Sequence, residues 1–288
     1  MVQPGVESNL ALVSVVITTY NRPEHLADAL KTTMNQSIKD LEIIVVDGMN
    51  SDENKSVVDK AKDKRIKYVG LKEDRGIQHS RTTGCQKSTG KYIAMLDDDD
   101  LWAPNKLERQ LKEFKDDSIG LVGCNTKVYT DEDSFFIETL PTNPTYQDLL
   151  KSFSISKTSS LLIRNDVMKE IGYFDEKLRG MHEHDIALKV AKKGHVIVNV
   201  PEPLLIRYPQ EKGKSLERSY YHKIAETMDL WHHYGKDFIP NLGIRGFVLN
   251  GIKTVGLFGI FLLGYVIKDK VWKIIHPLNR FYLKIVVK

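Results

Sequence analysis

One segment of the chain joins an apolar run directly to four consecutive carboxylates: Lys91-Tyr92-Ile93-Ala94-Met95-Leu96-Asp97-Asp98-Asp99-Asp100-Leu101-Trp102. The run from Tyr92 to Leu96 predicts a buried strand of an α/β sheet. Four like charges at one strand end repel one another unless positive charge lies among them, and Mg²⁺ and Mn²⁺ prefer carboxylate ligands. A solvated acidic turn that caps the helix after Pro104 would account for only one or two of the aspartates. The segment therefore predicts a divalent-cation site.

The composition is that of a folded globular protein with a basic tail. The chain has 288 residues, of which 41% are hydrophobic and 28% charged, which suits one large domain plus an appendage. Residues 245–288 carry eight basic side chains and one acidic side chain, whereas residues 1–244 carry 34 basic and 37 acidic ones. Because the body of the protein is slightly acidic, nucleic acid is not expected as a partner.

The cysteines and the N-terminal residues indicate a cytoplasmic protein. Cys85 and Cys124 have no CxxC or Cys/His metal spacing and stand beside apolar or small residues, which favours reduced, buried thiols. Residues 1–9 have neither the basic nor the apolar region of a secretory signal peptide.

Strands and helices alternate along most of the chain. Strands are expected at residues 12–18, 41–46, 66–69, 92–96, 120–125, 157–163 and 195–200, with an extended segment at 202–208. This order predicts a mainly parallel α/β sheet flanked by helices, whose ligands bind beyond the carboxyl ends of the strands. Three polar clusters fall at such ends, namely Thr18–Asn21, Asp47 and Asp97–Asp100. Together they predict a single site.

Several motifs, taken in their order and spacing, resemble family 2 glycosyltransferases, which have the Rossmann-like, nucleotide-binding GT-A fold. The motifs are Val13-Ser14-Val15-Val16-Ile17-Thr18-Thr19-Tyr20-Asn21-Arg22, Val45-Val46-Asp47-Gly48, Ser80-Arg81-Thr82-Thr83-Gly84, Gly90–Asp100, Trp102-Ala103-Pro104-Asn105-Lys106-Leu107 and Gly172-Tyr173-Phe174-Asp175-Glu176-Lys177-Leu178. The resemblance covers residues 11–215. It implies a catalytic domain at residues 1–215, followed by a helical extension at residues 216–288.

The resemblance implies that the nucleotide-sugar binds at the polar strand ends. Thr18, Tyr20 and the adjoining Asn21 would hold the base, and Asp47 would accept a hydrogen bond from it. Arg81 would reach the base or the diphosphate, because a guanidinium fork suits either group.

The resemblance also gives the four aspartates different roles. Asp97 and Asp99 match the family's DxD motif: Asp97 would face the ribose or a metal-bound water, and Asp99 would bind the Mn²⁺ or Mg²⁺ that bridges the diphosphate. Asp98 would be a spacer in the nucleotide-sugar-binding loop, and Asp100 would orient the loop or approach the donor sugar. The cation would stabilise the charge on the leaving nucleoside diphosphate.

A base must take the proton from the acceptor hydroxyl as this hydroxyl attacks the anomeric carbon. The family carries this base in a Glu-Asp or similar pair, and the matching positions here are His182 and Glu183, with Asp185 two residues further on. Glu183 is the preferred base and Asp185 the alternative. Both carboxylates could instead cap a helix N-terminus.

Three positions depart from the family pattern. Gly48 replaces the second of two aspartates, which leaves Asp47 for the base, and His182 replaces an acid of the catalytic pair. Arg207-Tyr208-Pro209 replaces a frequent Arg-x-His, so no histidine at that position completes the metal site. His182 or His184 could substitute, although a lone histidine is more often structural.

The tail contains the most apolar segment of the chain, residues 247–267. Its length would suffice to span a bilayer, but Asn250 and Lys253 shorten the uninterrupted part to Thr254–Ile267. Basic and aromatic residues follow, which favours contact with a membrane surface through residues 246–288. A helical hairpin packed on the catalytic domain or on a second subunit is the alternative.

The resemblance implies a metal-dependent glycosyltransferase that inverts the anomeric centre, and the tail predicts that it lies on the cytoplasmic face of a membrane. It would move a sugar from a nucleotide-sugar, expected to be UDP-linked, to a hydroxyl of a glycan or lipid-linked acceptor in glycan or polysaccharide synthesis. The alternative is a non-catalytic nucleotide-sugar- or carbohydrate-binding module with the same fold. A homo-oligomer is compatible with either function.

Overall fold

The computed structural model describes residues 11–131, 133–152, 155, 157–208, 229 and 232–244. Its strands are β1 (Val13–Thr19), β2 (Leu41–Asp47), β3 (Ile66–Gly70), β4 (Tyr92–Asp97), β5 (Asp100–Trp102), β6 (Ile119–Tyr129), β7 (Phe135–Glu138), β8 (Leu162–Arg164) and β9 (Val196–Arg207). Its helices are α1 (Pro23–Met34), α2 (Asp52–Ala61), α3 (Ile77–Lys87), α4 (Lys106–Leu111), α5 (Tyr146–Lys151), α6 (Asn165–Glu170) and α7 (His182–Lys192), with a 3₁₀ turn at Thr158–Ser160. Residues 232–244 are also helical.

The chain divides into two compact units. The first comprises residues 1–145, 154–176 and 182–210, and the second comprises residues 146–153, 177–181 and 211–288. Within the second unit, the hydroxyl of Tyr146 donates a hydrogen bond to Asp237 (2.7 Å), and Arg179 forms an ion pair with Asp229 (2.6 Å). Two short segments of the predicted catalytic domain thus contact Asp229 and Asp237, which lie in the predicted extension.

The predicted extension at residues 216–288 lies mostly outside the described residues, so its helices and its contact with a membrane remain predictions. Within the part of the chain that the structure describes, no helix is both long and apolar enough to cross a membrane.

The strands form a mixed sheet in the order β3-β2-β1-β4-β8-β6-β9-β5, with β7 paired to β6. The strands from β1 to β4 pair in parallel, as does β6 with β9, whereas β5, β7 and β8 pair antiparallel. The predicted α/β class is confirmed, and the predicted parallel pairing holds for the first half of the sheet. β5 follows β4 after only two residues, but it pairs with β9 and not with β4.

Two predicted strands differ in the structure. The strand expected at residues 157–163 is instead the 3₁₀ turn followed by β8. The Ser160 hydroxyl donates a hydrogen bond to the Lys157 carbonyl (2.7 Å), and such local bonds compete with a strand ladder. The two segments expected at residues 195–208 form the single strand β9.

The core packs helices against the parallel half of the sheet. β1 and β2 are buried along their whole length, and the Tyr92–Leu96 run is buried as predicted. Cys85 and Cys124 are also buried and free, as expected. A Cβ at Gly84 of α3 would lie 2.3 Å from Cγ1 of Val16, so only glycine permits this close contact with β1. The contact fixes α3, which carries Arg81 towards the end of β4.

Candidate functional site

The acidic loop, Asp97–Asp100, lies at the carboxyl end of β4. Asp97 ends β4 and Asp100 begins β5, so the other two aspartates form the turn between the strands. Three arginines from distant segments form ion pairs with the loop: Arg22, Arg81 and Arg207. Guanidinium groups of the protein itself therefore balance much of the repulsion among the four carboxylates.

Asp97 is held mainly by Arg81. Nη2 of Arg81 donates to both carboxylate oxygens at 2.8 and 2.7 Å, and the Thr18 hydroxyl donates to Oδ1 at 3.2 Å. Nε and Nη1 of Arg81 are buried and have no hydrogen-bond partner among the described residues. A buried guanidinium with unused donors is well suited to bind an anion such as a diphosphate.

Asp98 is anchored to the end of β1, and its predicted role as a spacer in the loop stays a prediction. Its side chain is buried, accepts a hydrogen bond from the Thr19 hydroxyl (2.8 Å) and forms an ion pair with Arg22 (3.3 Å). Burial raises the pKa of Asp98, and the charges of Asp97 and Asp99 add to this, whereas Thr19 and Arg22 oppose it. Asp98 therefore fixes the start of the turn to the end of β1.

Asp99 fits a cation ligand better than Asp97 does. The Asp99 side chain is 21% exposed and lies 3.3 Å from Nη1 of Arg22, whose side chain is 41% exposed and so can move. Asp97 already has both oxygens bonded to a buried arginine. Among the described residues, no group of three His, Cys, Asp or Glu side chains could hold a metal ion. A single carboxylate still suits Mg²⁺ or Mn²⁺ when phosphate oxygens and waters complete the coordination.

Asp100 is the most enclosed carboxylate of the loop. Ser159 Oγ donates to its Oδ2 (2.6 Å), and Nε of Arg207 donates to its Oδ1 (2.9 Å). Burial raises the pKa of Asp100 to about 6, although Arg207 and Ser159 lower it. Ser159 Oγ also accepts the Asp97 backbone N–H (3.0 Å), and the indole of Trp102 donates to the Ser159 carbonyl (2.9 Å). Sequence reasoning missed Ser159 and this role of Arg207, which no local pattern indicates.

Asp47 lies at the end of β2 and is 0% exposed. Its Oδ1 accepts the Met49 N–H (2.9 Å), and its Oδ2 accepts the Ser51 N–H (2.9 Å), Nδ2 of Asn54 (3.0 Å) and the Tyr68 hydroxyl (2.7 Å). The protein therefore occupies the carboxylate that was expected to bond the nucleotide base. These bonds hold the loop after β2, and a contact of Asp47 with the base stays a prediction.

Tyr20 and Asn21 lie on the surface just beyond β1. Tyr20 is 48% exposed, and Asn21 adopts a left-handed backbone conformation with φ of 50°. A Cβ at Gly48 would lie 3.0 Å from Cδ2 of Tyr20, so the ring covers this glycine. The replacement of the family's second aspartate by Gly48 thus leaves room for an exposed aromatic ring beside the acidic loop.

Glu183 and Asp185 lie in the first turn of α7 but in different environments. Asp185 is 1% exposed and forms an ion pair with Lys189 one helical turn later (2.7 Å). Glu183 is half-buried and accepts a hydrogen bond from the Thr158 hydroxyl (3.4 Å). The same 3₁₀ turn therefore contacts all three residues: Thr158 bonds to Glu183, and Ser159 bonds to the Asp97 backbone and to the Asp100 carboxylate.

His182 is a half-buried side chain at the start of α7. Its Nε2 lies 2.6 Å from Nε2 of Gln78 and, as the acceptor of that amide N–H, would carry its proton on Nδ1. Burial lowers the pKa of His182 to about 4, and the charge of Arg81 adds to this. His184 is buried. Neither histidine belongs to a metal-binding group within the described residues.

Comparison with known proteins identifies relatives along much of the chain. The profile of the family described as "Glycosyl transferase family 2" matches residues 14–174. An uncharacterized glycosyltransferase of Methanocaldococcus jannaschii is 29% identical over 210 residues, which cover 70% of this chain and 72% of the relative. A UDP-Glc:α-D-GlcNAc-diphosphoundecaprenol β-1,3-glucosyltransferase of Escherichia coli is 28% identical over 153 residues, which cover 53% of this chain and 60% of that enzyme.

Solved structures share the fold at low sequence identity. A mannosyltransferase from Pyrobaculum calidifontis, in complex with GDP-Man and Mn²⁺, has a TM-score of 0.63 and 19% identity, and the match covers 96% of this chain and 81% of that one. TarS of S. aureus in complex with UDP-GlcNAc has a TM-score of 0.60 and 17% identity, with 76% and 66% covered. The predicted GT-A fold is therefore confirmed. Because the family profile spans more than half of the chain, this protein belongs to glycosyl transferase family 2 and is an enzyme of the glycosyltransferase class.

Proposed function

We propose that this enzyme transfers a sugar from a UDP-sugar to a hydroxyl of a lipid-linked saccharide, with inversion at the anomeric carbon. The observation that carries the proposal is the acidic loop, whose carboxylates face Arg22, Arg81 and Arg207 beside the exposed ring of Tyr20. Two E. coli relatives are named as using UDP-Glc and a GlcNAc-diphosphoundecaprenol acceptor, and one TarS structure holds UDP-GlcNAc. These names support the choice of donor and acceptor.

In this proposal the donor lies across the ends of β1 and β4. The ring of Tyr20 stacks on the base, with Thr18 and Asn21 at its side, because an exposed aromatic face suits a flat heterocycle. Arg81 binds the diphosphate with the donors that Asp97 does not use. Asp47 contributes indirectly, since it holds the loop that carries Gly48 beneath Tyr20.

Asp99 would hold Mn²⁺ or Mg²⁺, and the Mn²⁺ in the P. calidifontis structure supports such a role within this fold. The cation would stabilise the negative charge on the leaving UDP. Arg22, at 3.3 Å, neutralises Asp99 in the absence of a donor and would have to swing away from it. Asp97 acts through Arg81 and is not required as a direct ligand.

Glu183 is the base of the proposed reaction. It takes the proton of the acceptor hydroxyl while the acceptor oxygen bonds to the anomeric carbon and the bond to the diphosphate oxygen breaks. Its half-buried position and its contact with Thr158 favour it over Asp185, which is enclosed and paired with Lys189. The single displacement places the new bond on the opposite face of the sugar.

The acceptor of the proposal requires access to a membrane. We assign this contact to residues 246–288, on the cytoplasmic face, because their basic and aromatic side chains suit an anionic lipid surface.

A panel of UDP-, GDP- and dTDP-sugars tests the donor. The purified protein is expected to release UDP slowly from at least one UDP-sugar, and faster when a GlcNAc-diphosphate lipid is added. Turnover of a GDP- or dTDP-sugar alone would contradict the UDP assignment. Absence of nucleotide release from every donor, with and without this acceptor, would contradict the proposed reaction.

The variants Glu183→Gln and Asp185→Asn test the base. Glu183→Gln is expected to lower kcat by about 10²- to 10⁴-fold while UDP affinity is unchanged, since only the proton acceptor is lost. Asp185→Asn is expected to lower thermal stability more than turnover per folded molecule. The opposite pattern would transfer the role of base to Asp185.

A further inference from the structure

Three aromatic side chains form a row across three neighbouring strands. The row consists of Phe135 on β7, Tyr129 on β6 and Tyr208, the residue after β9. The ring centroids of Tyr129 and Phe135 are 5.8 Å apart, and those of Tyr129 and Tyr208 are 4.7 Å apart with nearly parallel planes. Nothing in the proposed donor site uses this aromatic row.

One face of the last ring in the row is turned to solvent. The ammonium of Lys127 lies 4.6 Å from the ring centre of Tyr129 and 4.0 Å from that of Phe135, and it therefore fills the space between them. Tyr129 covers one face of Tyr208, yet Tyr208 remains 52% exposed. The aromatic row thus supports the ring of Tyr208 from one side and leaves its other face as a flat, exposed surface, here called the wall.

Strand pairing brings this wall to the acidic loop. β9 lies between β6 and β5, and Arg207 is the register partner of Asp100, to which it is also ion-paired. Tyr208 follows Arg207 directly, so it lies just past the end of β9, next to the start of β5, where the acidic loop ends. The face of Tyr208 that does not meet Tyr129 therefore lies on the side of β5 and the acidic loop.

The position of the wall indicates which substrate it serves. The proposed base-binding residues lie at the end of β1, in the parallel half of the sheet, whereas the aromatic row belongs to the half formed by β6, β7 and β9. An acceptor must reach the anomeric carbon from a side that the nucleotide does not occupy. The mixed half of the sheet, across the acidic loop, meets this requirement.

We propose that Tyr208, braced by Tyr129, Lys127 and Phe135, forms a subsite for a saccharide ring of the acceptor. The inference rests on the proposed glycosyl transfer and adds the place where the acceptor binds. The C–H groups on one face of a pyranose pack against the electron-rich face of an aromatic ring, while its hydroxyl groups stay in water. Such a contact would hold the acceptor ring beside the acidic loop and within reach of the donor.

Saturation-transfer NMR on the full-length protein tests the subsite with three probes: methyl α-N-acetylglucosaminide, methyl β-glucopyranoside and methyl α-mannopyranoside. At least one probe is expected to bind the wild type. Tyr208→Leu is expected to weaken that binding about fivefold to tenfold, the range produced by the loss of one aromatic contact, whereas Tyr208→Phe retains it. Val196→Ala, at the other end of β9 and also exposed, is the matched control.

The outcomes separate this inference from the proposed function. Calorimetric UDP binding is measured in the same samples and is expected to be equal in all four proteins. If UDP binds but no probe does, or if Tyr208→Leu binds the probe as the wild type does, the subsite is wrong while the donor site stands. If the wild type binds no UDP, the proposed function itself fails. Loss of vesicle binding in Tyr208→Leu, with saccharide binding unchanged, would assign the wall to a membrane and overturn the proposal.

Discussion

The two strands that flank β1 both end in aspartate, yet the two carboxylates have opposite surroundings. Asp47, at the end of β2, is fully buried and accepts hydrogen bonds from neutral donors of its own loop and of Tyr68. Asp97, at the end of β4, opens a loop whose carboxylates face the guanidinium groups of Arg22, Arg81 and Arg207, of which Arg22 is the most exposed. The same residue type at equivalent strand ends is therefore saturated by neutral donors in one case and paired with a guanidinium group in the other.

The two carboxylates differ in how easily a ligand can replace their present hydrogen-bond partners. A carboxylate saturated by fixed neutral donors cannot accept a ligand without leaving several buried donors unsatisfied, which costs stability. A carboxylate paired with a partly exposed arginine can change its partner at little cost, because such pairs contribute little when solvent screens them. Arg22, exposed beside Asp99, is of this second kind. The comparison predicts that stability depends on Asp47 and catalysis on Asp99.

Among the variants that test this comparison, the largest expected effect is on catalysis in Asp99→Asn. Removal of the charge that would bind the cation is expected to lower kcat by about 10²- to 10³-fold, a loss comparable with that of one group that stabilises developing charge. Isothermal calorimetry with UDP should show that Mn²⁺ strengthens binding to the wild type but not to the variant. The unfolding midpoint should not change. A variant that keeps the Mn²⁺ effect would remove Asp99 from the metal site.

The next effect concerns stability and is expected in Asp47→Asn. The amide nitrogen would face the donors of Ser51, Asn54 and Tyr68, so the free energy of unfolding is expected to fall by about 3 kcal/mol. Urea unfolding measures this loss, and Asp59→Asn, at an exposed position on α2, is the control. If Asp47 bonded the base instead, the variant would lose UDP affinity and keep its stability.

These two aspartates also show how far the sequence alone could lead. The apolar run before Asp97, the four carboxylates and Arg81 were recognisable because each is a local pattern or a family motif. Asp47 was assigned to the base, although donors at Met49, Ser51 and Asn54 form a local turn pattern that an aspartate before a helix commonly makes.

The remaining contacts of the site depend on long-range pairing. Arg207 meets Asp100 across 107 positions of the chain, and Ser159 meets it across 59. Both contacts follow from the antiparallel strands β5 and β8, which the alternation of strands and helices did not indicate. The parallel half of the sheet can be predicted from the periodicity of the sequence, whereas the pairing partner of a three-residue strand cannot.

Glu42, near the start of β2, is a third carboxylate saturated by the protein's own donors, and it should make the stability of the fold depend on pH. Burial would raise its pKa, but hydrogen bonds from Lys67, Ser14 and Thr89 outweigh this and lower it from 4.5 to about 2. A carboxyl group whose pKa is lower in the folded state stabilises the fold above pH 4.5, and this contribution disappears as the pH falls towards 2. Glu42→Gln should therefore lose about 1 to 2 kcal/mol at pH 7 and show a weaker loss between pH 4.5 and 2. Parallel acid-unfolding curves for the two proteins would contradict this role.

The smallest expected effect tests whether Asp100 contributes mainly to stability, as predicted for Asp47, or to catalysis, as predicted for Asp99. Ser159→Ala removes the hydroxyl that links the Asp97 backbone to the Asp100 carboxylate, whereas Ser160→Ala removes only a bond within the 3₁₀ turn. We expect Ser159→Ala to lower kcat about fivefold, equivalent to one hydrogen bond, and Ser160→Ala to leave kcat unchanged. Steady-state kinetics and urea unfolding of both variants make the distinction. Equal losses of stability with unchanged turnover in both would assign Asp100 to the scaffold, because positioning of the acidic loop would then not limit the reaction.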